Sequence, residues 1–148
     1  MNNRKVLFMK KICRLLVLCL LLSVCTAFAE TSDEVSGLIS QAQAALEAAD
    51  YETAVPLLRT AADAGNDQAQ LWLGNCYDTG AGVEQNAEEA VKYYLLAADR
   101  GNIPAVYNLA FCYLDGRGVE QDTAAGETWL YRAARLGNAR AKMLLETR

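Results

Sequence analysis

No histidine occurs anywhere in the 148 residues. That absence removes Ser-His and Cys-His nucleophile pairs, histidine-bearing zinc sites and most general acid–base chemistry near neutral pH. Serine is almost as scarce: after residue 29 only Ser32, Ser36 and Ser40 remain, and none begins an S-x-x-K motif. Cysteine falls short of a disulfide framework. Three of the five, Cys13, Cys19 and Cys25, lie within the first thirty residues, and only Cys76 and Cys112 remain beyond them. A long hydrophobic run is also missing. The uncharged stretch from Leu15 to Ala29 holds 15 residues, fewer than the ~18–20 a membrane-spanning helix needs.

That stretch has a different use. A basic start (Arg4, Lys5, Lys10, Lys11, Arg14), an apolar centre and the small-x-small pair Ala27 and Ala29 before Glu30 form the anatomy of a secretory signal peptide. The expectation is a leader over 1–29, cleaved after Ala29, and a bacterial protein that is exported, periplasmic or secreted. An uncleaved leader that tethers the chain to a membrane is the alternative. A lipid anchor would need a small residue just before its cysteine, and Val24 stands before Cys25. Once the leader is gone, nine bases face all 18 acids, a net charge of −9. Such a chain repels nucleic acid and anionic lipid, so neither is an expected partner.

Next comes repetition. LGNCYDTGAGVEQN (73–86) returns 36 residues later as LAFCYLDGRGVEQD (109–122). At the same shift Ala69, Ala105 and Ala141 align, as do Leu73, Leu109 and Leu145, and the doublets Ala61-Ala62, Ala97-Ala98 and Ala133-Ala134, each followed by Gly-Asn. A fixed period of this length marks a stacked array, one domain built of similar units. Each unit reads as two helices. Asn66 and Asn102 cap the first, Pro104 sits in its first turn, Gly80 and Gly116 end it, and Asn86 or Asp122 caps the second, with Glu89 completing a capping box. Upstream, a helix over Val35–Ala49 turns at Asp50-Tyr51 into a helix over Thr53–Ala64. Downstream, Ala139–Thr147 is an unpaired first-type helix. Gly126, inside a helix, is expected to cost about 1 kcal/mol relative to alanine.

The pattern A-x-x-x-L-G-x-x-Y-x-x-G-x-G-V, followed by A-x-x-Y/W-x-x-x-A-A-x-x-G, resembles the Sel-one-like repeat, a relative of the tetratricopeptide repeat. Ala69, Leu73, Gly74, Tyr77, Gly80, Gly82, Val83, Ala90, Tyr93, Ala97, Ala98 and Gly101 carry the match in one copy. Ala105, Leu109, Tyr113, Gly116, Gly118, Val119, Trp129, Ala133, Ala134 and Gly137 carry it in the next, with Ala110 in place of the family's glycine and Gly126 in place of its alanine. The resemblance implies an all-α, right-handed α-solenoid of stacked antiparallel helix pairs. Its divisions would be a tetratricopeptide-like hairpin over 30–66, repeats over 67–102 and 103–138, and a capping helix over 139–148.

Function follows from the same inventory. The Gly80-Ala81-Gly82 and Gly116-Arg117-Gly118 loops lack the lysine and open helix N-terminus of a phosphate cradle and read as tight turns. Acid pairs such as Glu88-Glu89, or Asp115 with Glu120, read as solvated surface. The expectation is a non-catalytic module without cofactor or metal that binds a protein or peptide. By resemblance to tetratricopeptide arrays, its concave face would present Gln68, Leu71, Asn75, Asp78, Tyr107, Phe111, Leu114, Arg140 and Met143. Trp72, Tyr93, Tyr94 and Trp129 are expected in the core. Some cysteine-rich secreted relatives are linked to β-lactams, so a small envelope hydrolase or β-lactam-interacting protein is the rival. Cys76 and Cys112 read as free, buried small hydrophobes: equivalent positions on stacked helices are set by axes about 8–10 Å apart, and a disulfide needs Cα atoms within about 7 Å.

Overall fold

The structure, a computed structural model, describes residues 33–147. The leader expected over 1–29, with Ala27 and Ala29, lies outside the described residues. From Gly37 onward the chain forms one compact unit. It is helical over 33–47 (α1), then Tyr51–Asp63 (α2), Asp67–Thr79 (α3), Ala87–Asp99 (α4), Ile103–Asp115 (α5), Thr123–Arg135 (α6) and Ala139–Glu146 (α7). No strand occurs among the described residues. From α2 onward each helix packs on the next.

Boundaries follow from side chains. Each helix from α2 to α7 begins after an Asp or Asn (Asp50, Asn66, Asn86, Asn102, Asp122, Asn138) whose side chain accepts from the amide three residues on, at 2.9–3.1 Å. Such a cap satisfies one of the amides that a helix start leaves unpaired. At the other end, Gly80 and Gly116 terminate α3 and α5 in the left-handed region, at φ 76° and 68°.

Four local expectations need correction. Tyr51 opens α2 instead of forming the turn, because Asp50 is the cap; the turn lies at 48–49, where Ala49 takes φ 55°. α7 stops at Glu146, with Thr147 as its cap. The capping box at Asn86 is half made: Glu89 donates its amide to Asn86, but its carboxylate pairs with Lys92 at 2.5 Å, and the Asn86 amide donates to the Tyr77 carbonyl at 2.9 Å.

Gly126 is the fourth. A Cβ there would lie 2.7 Å from Cγ of Leu114 and 3.0 Å from the Ala110 carbonyl oxygen. In the preceding repeat the roles are exchanged: a Cβ on Gly74 would lie 2.7 Å from the Tyr94 ring and 3.3 Å from the Ala90 carbonyl oxygen. Paired helices therefore approach closely at one glycine per hairpin, supplied by the first helix in one repeat and by the second in the next. The two departures from the repeat pattern compensate each other.

The core is mostly alanine and leucine. Ala54, Leu58 and Ala61 lead into Ala90, Ala97, Leu109, Ala110, Leu130 and Ala133, all buried. Small residues let helices stack closely, and the G-x-G loops lock the stack lengthwise. A Cβ on Gly82 would lie 2.5 Å from Cβ of Tyr51, and one on Gly118 would overlap the carbonyl of Ala87. Tyr51 and Ala87 are the same position one repeat apart, the first residue of a second-type helix. Each loop therefore docks on the start of the preceding pair's second helix, which explains the second glycine without any phosphate.

Candidate functional site

A shallow, open recess of about 350 Å³ lies where the second and third helix pairs meet. α3 contributes Asn75 and Asp78, α4 the hydroxyl end of Tyr94, α5 Tyr107, Asn108 and Phe111, and the α5–α6 loop Arg117. Of the nine residues expected on the concave face, four (Asn75, Asp78, Tyr107 and Phe111) meet here. Tyr107 and Phe111, one helical turn apart, pack at 5.0 Å between ring centroids.

The polar wall is internally ordered. Tyr94 donates its hydroxyl to Oδ1 of Asn75 at 2.8 Å, and Asn108 donates Nδ2 to the same oxygen at 3.2 Å. Arg117 closes the other side: its Nη1 donates to both carboxylate oxygens of Asp78, at 3.0 and 2.8 Å, with Nε 3.6 Å from Asp115. Burial, and next the Asp78 charge, hold the Tyr94 hydroxyl well above the usual tyrosine range, so it remains a proton donor through mildly alkaline pH. Burial works against the Arg117 charge, and the Asp78 carboxylate outweighs it, so Arg117 titrates above its ordinary value.

The remaining five candidates lie elsewhere. Leu71 is only 5% exposed and belongs to the core cluster that contains Val106 and Leu109 of the next repeat; stacking covers it, so it lines no groove. Leu114 is half-buried over Gly126, filling the space inside the α5–α6 hairpin. Gln68 is half-buried and away from the recess, and Arg140 and Met143 are exposed on α7. Trp72 and Trp129 are half-buried against the core, Tyr93 stacks on Tyr77 at 5.7 Å, and Tyr94 is buried except for its role in the recess. Cys76 and Cys112 are buried, 3% and 1% exposed, and unbonded. Burial raises both thiols, Cys112 to about 11.

Three recess residues escaped the sequence reading: Tyr94, Asn108 and Arg117. The 36-residue register carried a signal for two of them. Asn108 stands where the previous repeat has Trp72, and Arg117 where it has Ala81. No group of three or more Cys, Asp or Glu able to hold a metal occurs among the described residues.

The family model for the Sel1 repeat matches residues 42–66, 67–102 and 103–138. The chain belongs to the Sel1-repeat family. Its fold is the all-α repeat fold of that family. A Sel1 repeat protein from Oxalobacter formigenes is 39% identical, with a TM-score of 0.62 over 64% of this chain and 27% of that one. A protective antigen of uropathogenic Escherichia coli with the same repeat fold is 35% identical, with a TM-score of 0.60 over 62% of this chain and 20% of that one. This chain thus spans under a third of either. Cysteine rich protein B of Helicobacter pylori shares the fold at 18% identity, with a TM-score of 0.60 over 75% of this chain and 94% of that one. No curated protein matches the sequence. Sel1 repeats are generally modules of protein–protein interaction.

Proposed function

We propose that this chain is an exported, non-catalytic module that binds an extended segment of a partner protein in the recess between its second and third helix pairs. One observation carries the reading. Asn75 uses its carbonyl, and Asn108 its amino group, within the Tyr94–Asn75–Asn108 network. The other half of each side-chain amide, the Asn75 amino group and the Asn108 carbonyl, takes no part in that Asn75 Oδ1 contact. One donor beside one acceptor complements a peptide unit, which carries one of each. Tyr107 and Phe111 beside them supply the apolar area that interfaces favour.

The test is a peptide library passed over the purified protein. Selected peptides should lose at least about tenfold in affinity on Asn75→Ala or Phe111→Ala, a loss of about 1.4 kcal/mol, with helical circular dichroism unchanged. Equal binding by both variants would remove the recess from the interaction. Turnover of a chromogenic β-lactam by the purified protein would replace this reading with the hydrolase.

A further inference from the structure

The charges around the recess are unbalanced. Over residues 37–127, the stretch that builds it, 14 acids face four bases, Arg59, Lys92, Arg100 and Arg117. Two of those bases already hold an acid, Lys92 with Glu89 and Arg117 with Asp78. At the recess itself one cation serves two acids: Arg117 donates Nη1 to both oxygens of Asp78, and its Nε stands 3.6 Å from Asp115. That corner keeps one negative charge in excess. The side chains of Asp78 and Asp115 are 21% and 54% exposed, so a partner can reach both. Among the described residues that line the recess, Arg117 is the one base.

The excess is felt on the recess floor. Burial acts first on the Tyr94 hydroxyl, and of the two charges in the corner Asp78 acts on it more strongly than Arg117. The same recess holds the half-buried, mutually packed rings of Tyr107 and Phe111. An apolar wall beside an acidic corner suits a side chain that is apolar along its stem and positive at its head, because Lys and Arg lay their methylenes on apolar surface. Aromatic faces also attract a cation. A carboxylate meets the reverse: the ring faces carry negative charge, two carboxylates already stand near, and the guanidinium is taken.

We propose that the partner segment enters the recess with a lysine or arginine side chain, its stem on Tyr107 and Phe111 and its head toward Asp78 and Asp115. This rests on the reading of the recess as a peptide site and names the side chain that the site selects. A partner Asp or Glu aimed at Arg117 would have to share that guanidinium with Asp78, and like charges brought together at an interface are costly. Arg117 is then a specificity-determining residue that moderates the negative corner and receives nothing itself.

The test selects random octapeptides with blocked ends on the purified protein and measures each again on Phe111→Ala. Among peptides that Phe111→Ala weakens while helical circular dichroism is unchanged, one position should be enriched in Lys and Arg and depleted in Asp and Glu. Replacing that Lys by Gln should weaken binding and remove most of its salt dependence. Arg117→Gln uncovers the carboxylates and should tighten the Lys peptide about two- to fivefold, whereas Asp115→Asn should weaken it by about the same factor. The exposed Asp115 keeps the test decisive if Arg117→Gln fails to fold. Phe111-dependent peptides with no basic preference overturn this proposal and leave the recess reading in place; a library without any Phe111-dependent peptide overturns both. Enrichment of Asp or Glu, with affinity lost on Arg117→Gln, would make Arg117 the receiver of a carboxylate and overturn the proposal as well.

Discussion

Cys76 and Cys112 look at first like a duplicated reactive pair, and their surroundings decide otherwise. A buried thiol resists becoming a thiolate, and Cys112 titrates at about 11 against an ordinary 9.0. A raised folded-state value gives stability that is complete below pH 9 and is lost as pH rises toward 11. Cys112 alone should then withdraw about 2 kcal/mol by pH 11, and Cys112→Ala should flatten the alkaline arm of a stability–pH profile from urea melts. Glycine offers a second contrast. Gly118→Ala must overcome both φ 69° and overlap with the Ala87 carbonyl, while Gly137→Ala meets only φ 100° and open space. Unfolding midpoints should place the first loss at about 2–4 kcal/mol and the second at about 1–2 kcal/mol. At this scale Asn75 and Phe111 were legible from their register position. Leu71 was not, because its exposure depends on the repeat that follows it.

Among the elements, the helix starts were the most legible, since Asn or Asp stands at the N-cap of each helix from α2 to α7 and that preference is local. What sequence could not decide was competition. Glu89 had the spacing for a capping box, and Lys92, three residues on, took its carboxylate. Pro56 in α2 and Gly126 in α6 are both residues that propensity alone disfavours. Pro56 lies inside α2 and is exposed, where it leaves the Glu52 carbonyl without its helical donor; Pro56→Ala should stabilise the fold by up to about 3 kcal/mol in denaturant melts. Gly126 looks alike but should behave in the opposite way. Gly126→Ala gains helix propensity yet drives Cβ against Leu114 and the Ala110 carbonyl, so a net loss of about 1–2 kcal/mol is expected. Leu114→Ala in the same chain should recover part of it, measured as a double-mutant cycle.

For the whole molecule, the period of 36 was enough to give the helix pairs and their order, because each unit buries its apolar face only against a neighbour. The recess was harder to foresee. Arg117 closes it by reaching Asp78, 39 residues earlier, a contact that exists only once the stack is assembled. The leader expected over 1–29 makes a prediction of its own: mass spectrometry of the protein from a bacterial host should find a chain beginning at Glu30, and a retained Met1 would mean a tether. Assembly also has a direction. Every G-x-G loop clasps the pair before it, so a chain made from its N-terminus always carries one hairpin whose clasp has yet to be synthesised. The first two pairs are in this sense proofread by their successors: a fault in one loop is felt first in the unit upstream.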